Sequence, residues 1–437
     1  MHKNKKIVNF AVGIEAAWFS IMRLFKVNNL ILSGQFHITT KPINLFFMQK
    51  TIKYILLVAA AILLTPSVAQ DRREVSLLTC SPGEEVYAHF GHTALRVNDP
   101  TRGADVVFSY GIFSFDEPNF VWRFILGETD YLLGAIDYPY FIAEYSERGS
   151  GVNEQVLALD SLQKNAIIAA LIENIQPQNR VYRYNFLYNN CTTKARDKIF
   201  EAIGGGIGYS APSAGDSLTF RDIVHHFTGK HPWYQLGMDM LLGAPADETA
   251  TRSGAQFAPI IFMQELSTAT ADGKPLLKEE RELTAPQEKQ AVRNNLTPFN
   301  VSLLVLLFTL IIMLCERRTK KSYLLWDALL MTLQGAAGIV LTIMVLLSQH
   351  PTVNENWLLI WLNPLPLVLL PILIYKVIKK QKATIMWIQV AMVTGFIVAS
   401  PFLPQYIPAA LYPCAVALIA RSLFHIYKDK ICALDSL

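Results

Sequence analysis

The sequence predicts an α+β domain exported from the cytoplasm, followed by an all-α bundle of about five transmembrane helices. Three observations carry that expectation. Of 437 residues, 52% are hydrophobic and only 17% charged, too apolar for a disordered chain and too sparsely charged for an ordinary soluble enzyme. The apolar excess lies mostly beyond Pro298, with a smaller share before Gln70. Between them runs a stretch of mixed composition long enough to bury one core of its own. The net charge of +4 does not point to nucleic acid, because Lys and Arg gather at the ends of apolar runs. Five cysteines do not make a disulfide scaffold.

The first export signal begins at Met48. Lys50 and Lys53 are followed by an apolar stretch from Tyr54 to Leu64 and a small-residue exit, Ser67-Val68-Ala69, so residues 48–69 read as a signal peptide cleaved after Ala69. No cysteine sits at that exit, so the chain is not itself a lipoprotein. Residues 1–47 then read as an upstream extension from a mis-assigned start, with Met48 the true start. Residues 70–297 form the exported domain and 298–437 the membrane domain.

The membrane domain shows apolar runs at 298–315, 323–348, 357–378, 385–400 and 406–420. At 1.5 Å rise per residue, about 20 residues cross the hydrocarbon core. Arg317, Arg318, Lys320 and Lys321 follow the first run, Lys376, Lys379, Lys380 and Lys382 follow the third, and Lys428 and Lys430 follow the fifth. The opposite loops, QHPTVNEN and SPFLPQ, hold no Lys or Arg. The positive-inside rule therefore puts the C-terminus in the cytoplasm and the 70–297 domain in the periplasm, as the leader also requires.

Within the exported domain, EVSLLTC, HTALRVND and ADVVFSYGIF read as strands separated by turns at Ser81-Pro82-Gly83 and Asn98-Asp99-Pro100. EQVLALD is a further strand. Leu162–Ile175 has helical spacing and stops before Pro177; RVYRYNFLYNNC is a strand entering a turn; CTTKARDKIFEAI is a helix ended by Gly204. The polar segment 266–297 reads as a tether into the first span.

Cys191 opens that last helix, with Asn190 as its N-cap. Helix N-terminal N–H groups stabilise anions, which favours a thiolate and offers donors to an oxyanion. A thiol nucleophile needs an imidazole to take and return protons. His92 begins a core strand after Gly91 and is the preferred base, with His89 in reserve. Tyr110, Ser109 and Asp105 on the next strand could orient the ring. Asn190, His350, Glu355 and Asn356 are the candidates to touch substrate, the last three in a polar loop ahead of Trp357 and Trp361 that fits an outer-interface belt.

Blander readings stand beside these. A Cys80–Cys191 disulfide would remove the nucleophile. His89, His92 and Cys191 lack a fourth ligand and the paired spacing of a zinc site. His225, His226 and His231 read as surface residues, Tyr182, Tyr184, Phe186 and Tyr188 as core or pocket wall, and Asp197 as an ion-pair partner of Lys194 or Arg196. Asn363, beside Pro364 and Pro366, either lines a cavity or marks a kink.

SLLTCSPGEEVYAHFGHTALRV, FSYGIFSF, YRYNFLYNNCTTKARD, TFRD and HPTVNENWLLIWLNPL together resemble the Lnb family of bacterial lipoprotein N-acyltransferases, from about Glu74 onward. The resemblance implies a circularly permuted papain-like (NlpC-type) exported domain, and permutation accounts for His92 preceding Cys191. It implies Cys191 as acyl-accepting nucleophile, His92 as acid and base, and a site role for Tyr110, while weakening His89 and Ser109. The implied reaction takes an acyl chain from a membrane phospholipid donor to a diacylated lipoprotein acceptor at the outer face of the inner membrane, with no metal, nucleotide cofactor or nucleic acid. The alternatives are a membrane-bound cysteine hydrolase (phospholipase or cell-wall amidase) and a non-enzymatic envelope scaffold.

Overall fold

A computed structural model of the protein describes residues 71–287 and 296–433, with Lys50, residues 52–54 and Leu56. The 1–47 extension and most of the 48–69 leader, including its cleavage site, lie outside the described residues. The chain divides into two units, 1–70 and 71–437.

In the second unit, seven antiparallel strands form one sheet: β1 (Glu74–Cys80), β2 (His92–Asp99), β3 (Ala104–Ile112), β4 (Asp130–Asp137), β5 (Val152–Leu157), β6 (Val181–Arg183) and an edge strand, Leu277–Thr284. The spatial order is edge strand, β5, β1, β2, β3, β4, β6. The helices of this domain are α1 (Phe120–Leu126), α2 (Tyr138–Glu147), α3 (Ser161–Asn174), α4 (Cys191–Ile203), α5 (Phe220–Thr228), α6 (Pro232–Leu241), α7 (Arg252–Ala255) and α8 (Pro259–Thr268). A second, three-stranded sheet has β8 (Ala269–Ala271) at its centre, pairing with β7 (Ile207–Tyr209) on one side and β9 (Lys274–Pro275) on the other, and the edge strand of the first sheet is β10.

Alternation decides which side chains face which layer. Val75, Leu77, Leu95, Phe108, Tyr110 and Leu133 pack on α3, α4 and α8. Leu78, Cys80, Ala94, Val107 and Val152 pack on Phe141 of α2. Both faces are covered, and β1 is buried almost end to end. Arg96 on β2 is a polar exception, held between Asp105 at 2.6 Å and the buried Glu154 at 2.9 Å. That bridge removes Asp105 from the residues free to orient the imidazole.

The expected tether is largely structured. Leu277–Thr284 pairs with β5, and its charges engage Glu74 and Glu154 through Lys278 and Arg281. Charges along an edge strand deter pairing with other chains, which is why the segment reads as polar tether in sequence.

The remaining helices form the membrane domain: α9 (Pro298–Thr319), α10 (Leu324–Leu347), α11 (Leu365–Ile378), α12 (Trp387–Ala399) and α13 (Leu411–Ala433). Among the described residues, four segments are long and apolar enough to cross a membrane: Pro298–Thr319, Leu324–Leu347, Trp357–Ile378 and Thr384–Phe402. The fifth apolar run lies on α13, which is long enough but carries Arg421 and His425 inside the bundle. Arg421 binds Asp327 at 2.6 Å and Glu316 at 3.1 Å, and His425 binds Asp327 at 2.9 Å, tying α13 to α9 and α10. Asn363 marks the break before α11 and is satisfied locally, donating to Leu359 and Ile360 and accepting from Leu365 N–H. The kink reading therefore holds there. Trp361 is buried against Phe396 rather than placed in an interfacial belt.

Candidate active site

The exported domain seats on the membrane bundle through α6. Leu236, Met240 and Leu241 pack into the cluster of Leu341, Leu358, Trp361 and Phe396. Polar contacts close the junction: Gly243 N–H donates to Thr352 O at 2.7 Å, Asn356 Nδ2 to Met240 O at 2.7 Å, and Gln405 Nε2 to Leu242 O at 3.1 Å. Arg221, only 2% exposed, fixes the same turn from beneath through Asp239, Asp247 and the carbonyls of Leu242 and Gly243. His225 joins it at Asp239, 2.7 Å away, rather than standing as a free surface residue.

In the sheet domain, α4 begins with Cys191 against the start of β2 and the end of β3. Asn190 caps the helix: its Oδ1 accepts from the N–H of Thr192 and Thr193, both at 2.9 Å, and its Nδ2 donates to the carbonyls of Phe186 and Phe257. Every polar valence of that side chain is used. Asn190 is a structural cap and not a residue free to bind substrate. The cap also consumes two first-turn donors and leaves the Cys191 N–H.

Gly91 and Gly111 shape the floor. Gly91 has φ +78, and a Cβ there would sit 2.4 Å from the Cys80 carbonyl oxygen, so only glycine permits this entry to β2. Gly111 has φ +99 at a register shift between Tyr110 and Ile112, and a Cβ there would sit 3.7 Å from the Cys191 Cβ.

His92 stands opposite Cys80 in the ladder and reaches Cys191 across the strand end. Burial opposes the Cys191 thiolate, but the His92 charge, a hydrogen bond from that ring, the Thr93 N–H and the Thr192 hydroxyl outweigh it. The thiol is held below its ordinary value. His92 Nε2 lies 3.4 Å from Ser109 Oγ, and its ring lies parallel to Tyr145 of α2 at 6.2 Å. The Thr93 and Thr192 hydroxyls, 3.0 Å apart, fasten β2 to α4 beside the thiol.

Tyr110 points the other way. Its hydroxyl donates to Asn174 Oδ1 at 2.7 Å within the core, so Ser109 rather than Tyr110 meets the imidazole. His89 is also remote from this work: it is buried, bonded to the Glu85 carbonyl and stacked on Tyr234. Cys80 is a free buried thiol, pushed up by burial, and Cys191 is free as well; the disulfide alternative is overturned. Asp197 pairs with Arg196, as expected of a helix surface.

Of the candidates in the membrane-domain loop, Asn356 is buried and holds α6, and His350 Nε2 bonds the Phe124 carbonyl of α1 at 2.6 Å. Both dock the two domains. Glu355 is exposed, with its carbonyl accepting from Ala244 N–H.

Two site residues were not singled out from the sequence. Tyr145 repeats with Tyr138, Phe141 and Ile142 at helical spacing, a signal that would have found its helix. Tyr182, expected only as core or pocket wall, has a buried hydroxyl whose oxygen faces the Gly111 N–H and whose proton meets no acceptor among the described residues. It packs with Cys191 on the α4 side of the sheet. Burial and the neighbouring Cys191 charge push its phenol up.

Residues 63–224 match the family model of the Lnb N-terminal periplasmic domain, and residues 287–430 match that of the Lnb transmembrane domain. The chain belongs to the Lnb family. The two matches together cover well over half of it, in the order of the two structural domains. No curated protein and no solved structure matches it. Lnb membership supports, at the level of the family, a lipoprotein N-acyltransferase-like enzyme of the inner membrane.

Proposed function

We propose that this Lnb protein transfers an acyl chain from a membrane phospholipid, through a thioester on Cys191, to the α-amine of the diacylglyceryl-cysteine that begins a bacterial lipoprotein. One observation carries the reading: a thiol held low by His92 opens a helix in a domain whose α6 is packed into a membrane bundle. The catalytic face is periplasmic and the C-terminus cytoplasmic in this reading, following the charge of the loops.

In the first step the Cys191 sulfur attacks an ester carbonyl of the donor. The C–S bond forms, the C–O bond breaks, and the thiol proton passes through His92 to the leaving alkoxide, giving a lysophospholipid. In the second step the acceptor amine attacks the thioester, its proton goes to His92, and the amide forms as the thiol is restored. The tetrahedral oxyanion of each step is held by the Cys191 N–H and the Tyr182 hydroxyl, whose oxygen faces the Gly111 N–H and whose proton meets no acceptor among the described residues. Ser109 and Tyr145 keep the imidazole in place. Both substrates are confined to one leaflet, which lowers the cost of bringing them together.

The reading is tested by incubating the purified protein with phospholipid and no acceptor, then mapping Cys191 by mass spectrometry. A hydroxylamine-labile acyl adduct on the Cys191 peptide supports it. An unmodified Cys191 with free fatty acid accumulating points to hydrolysis by another route.

A further inference from the structure

Helix α1 is a short helix, FVWRFIL, that leaves its apolar side chains uncovered: Val121 is 70% exposed, and Trp122 and Phe124 are also exposed. Phe115, just before it, is 65% exposed. Its charged residue, Arg123, is turned back onto Glu117 at 3.0 Å and Asp130 at 2.8 Å. Such a surface in water is unfavourable, and large apolar patches mark a binding face.

The position of α1 says what covers it. The three residues after α10, a membrane-spanning helix ending at Leu347, are bonded to the last carbonyls of α1. Ser348 Oγ donates to Ile125 O at 2.7 Å, Gln349 N–H to Leu126 O at 2.8 Å, and His350 Nε2 bonds Phe124 O. Three residues reach at most about 10 Å, so α1 lies level with the end of that span, where bilayer headgroups meet acyl chains. Aromatic and aliphatic residues at that depth sink into the acyl boundary.

The same segment leads to the thiol. It begins at Gly111, against Cys191, and Phe113 stacks on Tyr131 at 4.8 Å, which stacks on Tyr184 at 4.1 Å. On the other side Phe113 stacks on Phe120 of α1 at 5.7 Å. A run of stacked rings therefore leads from the exposed helix to Tyr184, and the strand end that feeds this segment passes beside Cys191 at Gly111.

We propose that residues 112–126 form a lip embedded in the outer leaflet, over which a phospholipid acyl chain passes from the bilayer to Cys191. The inference rests on the acyl-transfer reading. It assigns the entry side and a lipid-contacting role to a segment with no other task in the mechanism.

The test uses the full chain in vesicles of phosphatidylethanolamine and phosphatidylglycerol. Trp122 is read as the difference in fluorescence between wild type and Trp122→Phe. Quenching of that difference by lipids brominated on the acyl chain, and protection from aqueous iodide, is the expected result. Quenching by iodide without quenching by brominated lipid overturns the lip. Acyl loading of Cys191 is then compared for vesicle phospholipid and a soluble p-nitrophenyl ester. In V121D/W122D the ratio of loading from lipid to loading from soluble ester falls at least about tenfold, since each large side chain leaving lipid forfeits its burial. An unchanged ratio overturns the conduit. Wild-type loading from the soluble ester but not from phospholipid removes the phospholipid-donor reading and the conduit together, whereas loss of loading from lipid in the variant alone separates the lip from that reading.

Discussion

Ser109 Oγ lies 3.4 Å from His92 Nε2, a side-chain contact to the ring that holds the Cys191 thiol low. The contact is long, so its worth is at the low end for a hydrogen bond. Ser109→Ala is expected to slow acyl loading of Cys191 by a factor of about 2–3, the equivalent of roughly 0.5 kcal/mol. His92→Ala removes the proton carrier itself and is expected to slow it by about 10²–10⁴. Single-turnover loading rates of the two variants check the ranking, and equal losses would contradict it.

The lowered Cys191 thiol sets a pH dependence with a definite sign. Thiolate is present above the folded pKa and is lost as pH falls through it, so reactivity should persist below the range of an ordinary thiol. Removing His92 takes away the largest group opposing burial, and the inflection then moves up. Rates of iodoacetamide alkylation at Cys191 across pH, for wild type and His92→Ala, report both inflections. An inflection that stays in place in the variant would exclude the ion pair.

Asn190 is expected to act through the fold and not through substrate. Asn190→Ala strips the cap from two N–H groups and orphans the carbonyls of Phe186 and Phe257. The expected cost is about 1–2 kcal/mol of stability, seen as a lower Tm of the purified full chain. A raised KM with an unchanged Tm would return Asn190 to the substrate.

Tyr182 separates oxyanion stabilisation from packing. Tyr182→Phe keeps the ring against Tyr110 and Lys194 and removes the buried hydroxyl. Loss of one oxyanion donor typically costs about 10²–10³ in kcat. A fall in kcat with little change in KM or Tm is expected. Unaltered turnover would leave the Cys191 N–H as the working donor.

Much of this was legible in the sequence where the signal is local. The β1–β3 alternation, the α3 spacing and the Asn190-Cys191 helix start all follow from residues within one turn or one strand of each other. Cys191 and His92 were identifiable because their chemistry is tied to such an element boundary. What escaped depends on distant partners. Asn356 and His350 read as substrate contacts because polar residues near a membrane invite that reading, yet their bonds go to α6 and α1, more than a hundred residues away. Leu277–Thr284 read as a tether because a solvated edge strand wears charges on both sides of its alternation. Tyr110 and Ser109 are neighbours on one strand, and only the direction of the pleat decides which meets the imidazole.

The most direct test is mass spectrometry of a diacylated lipopeptide incubated with phospholipid and the purified protein, wild type beside Cys191→Ala. The account predicts a gain of one fatty-acyl mass on the N-terminal cysteine amine with wild type, an equivalent of lysophospholipid, and neither with the variant. N-acylation that survives in Cys191→Ala, or lysophospholipid and free fatty acid without any acylated lipopeptide, would contradict it.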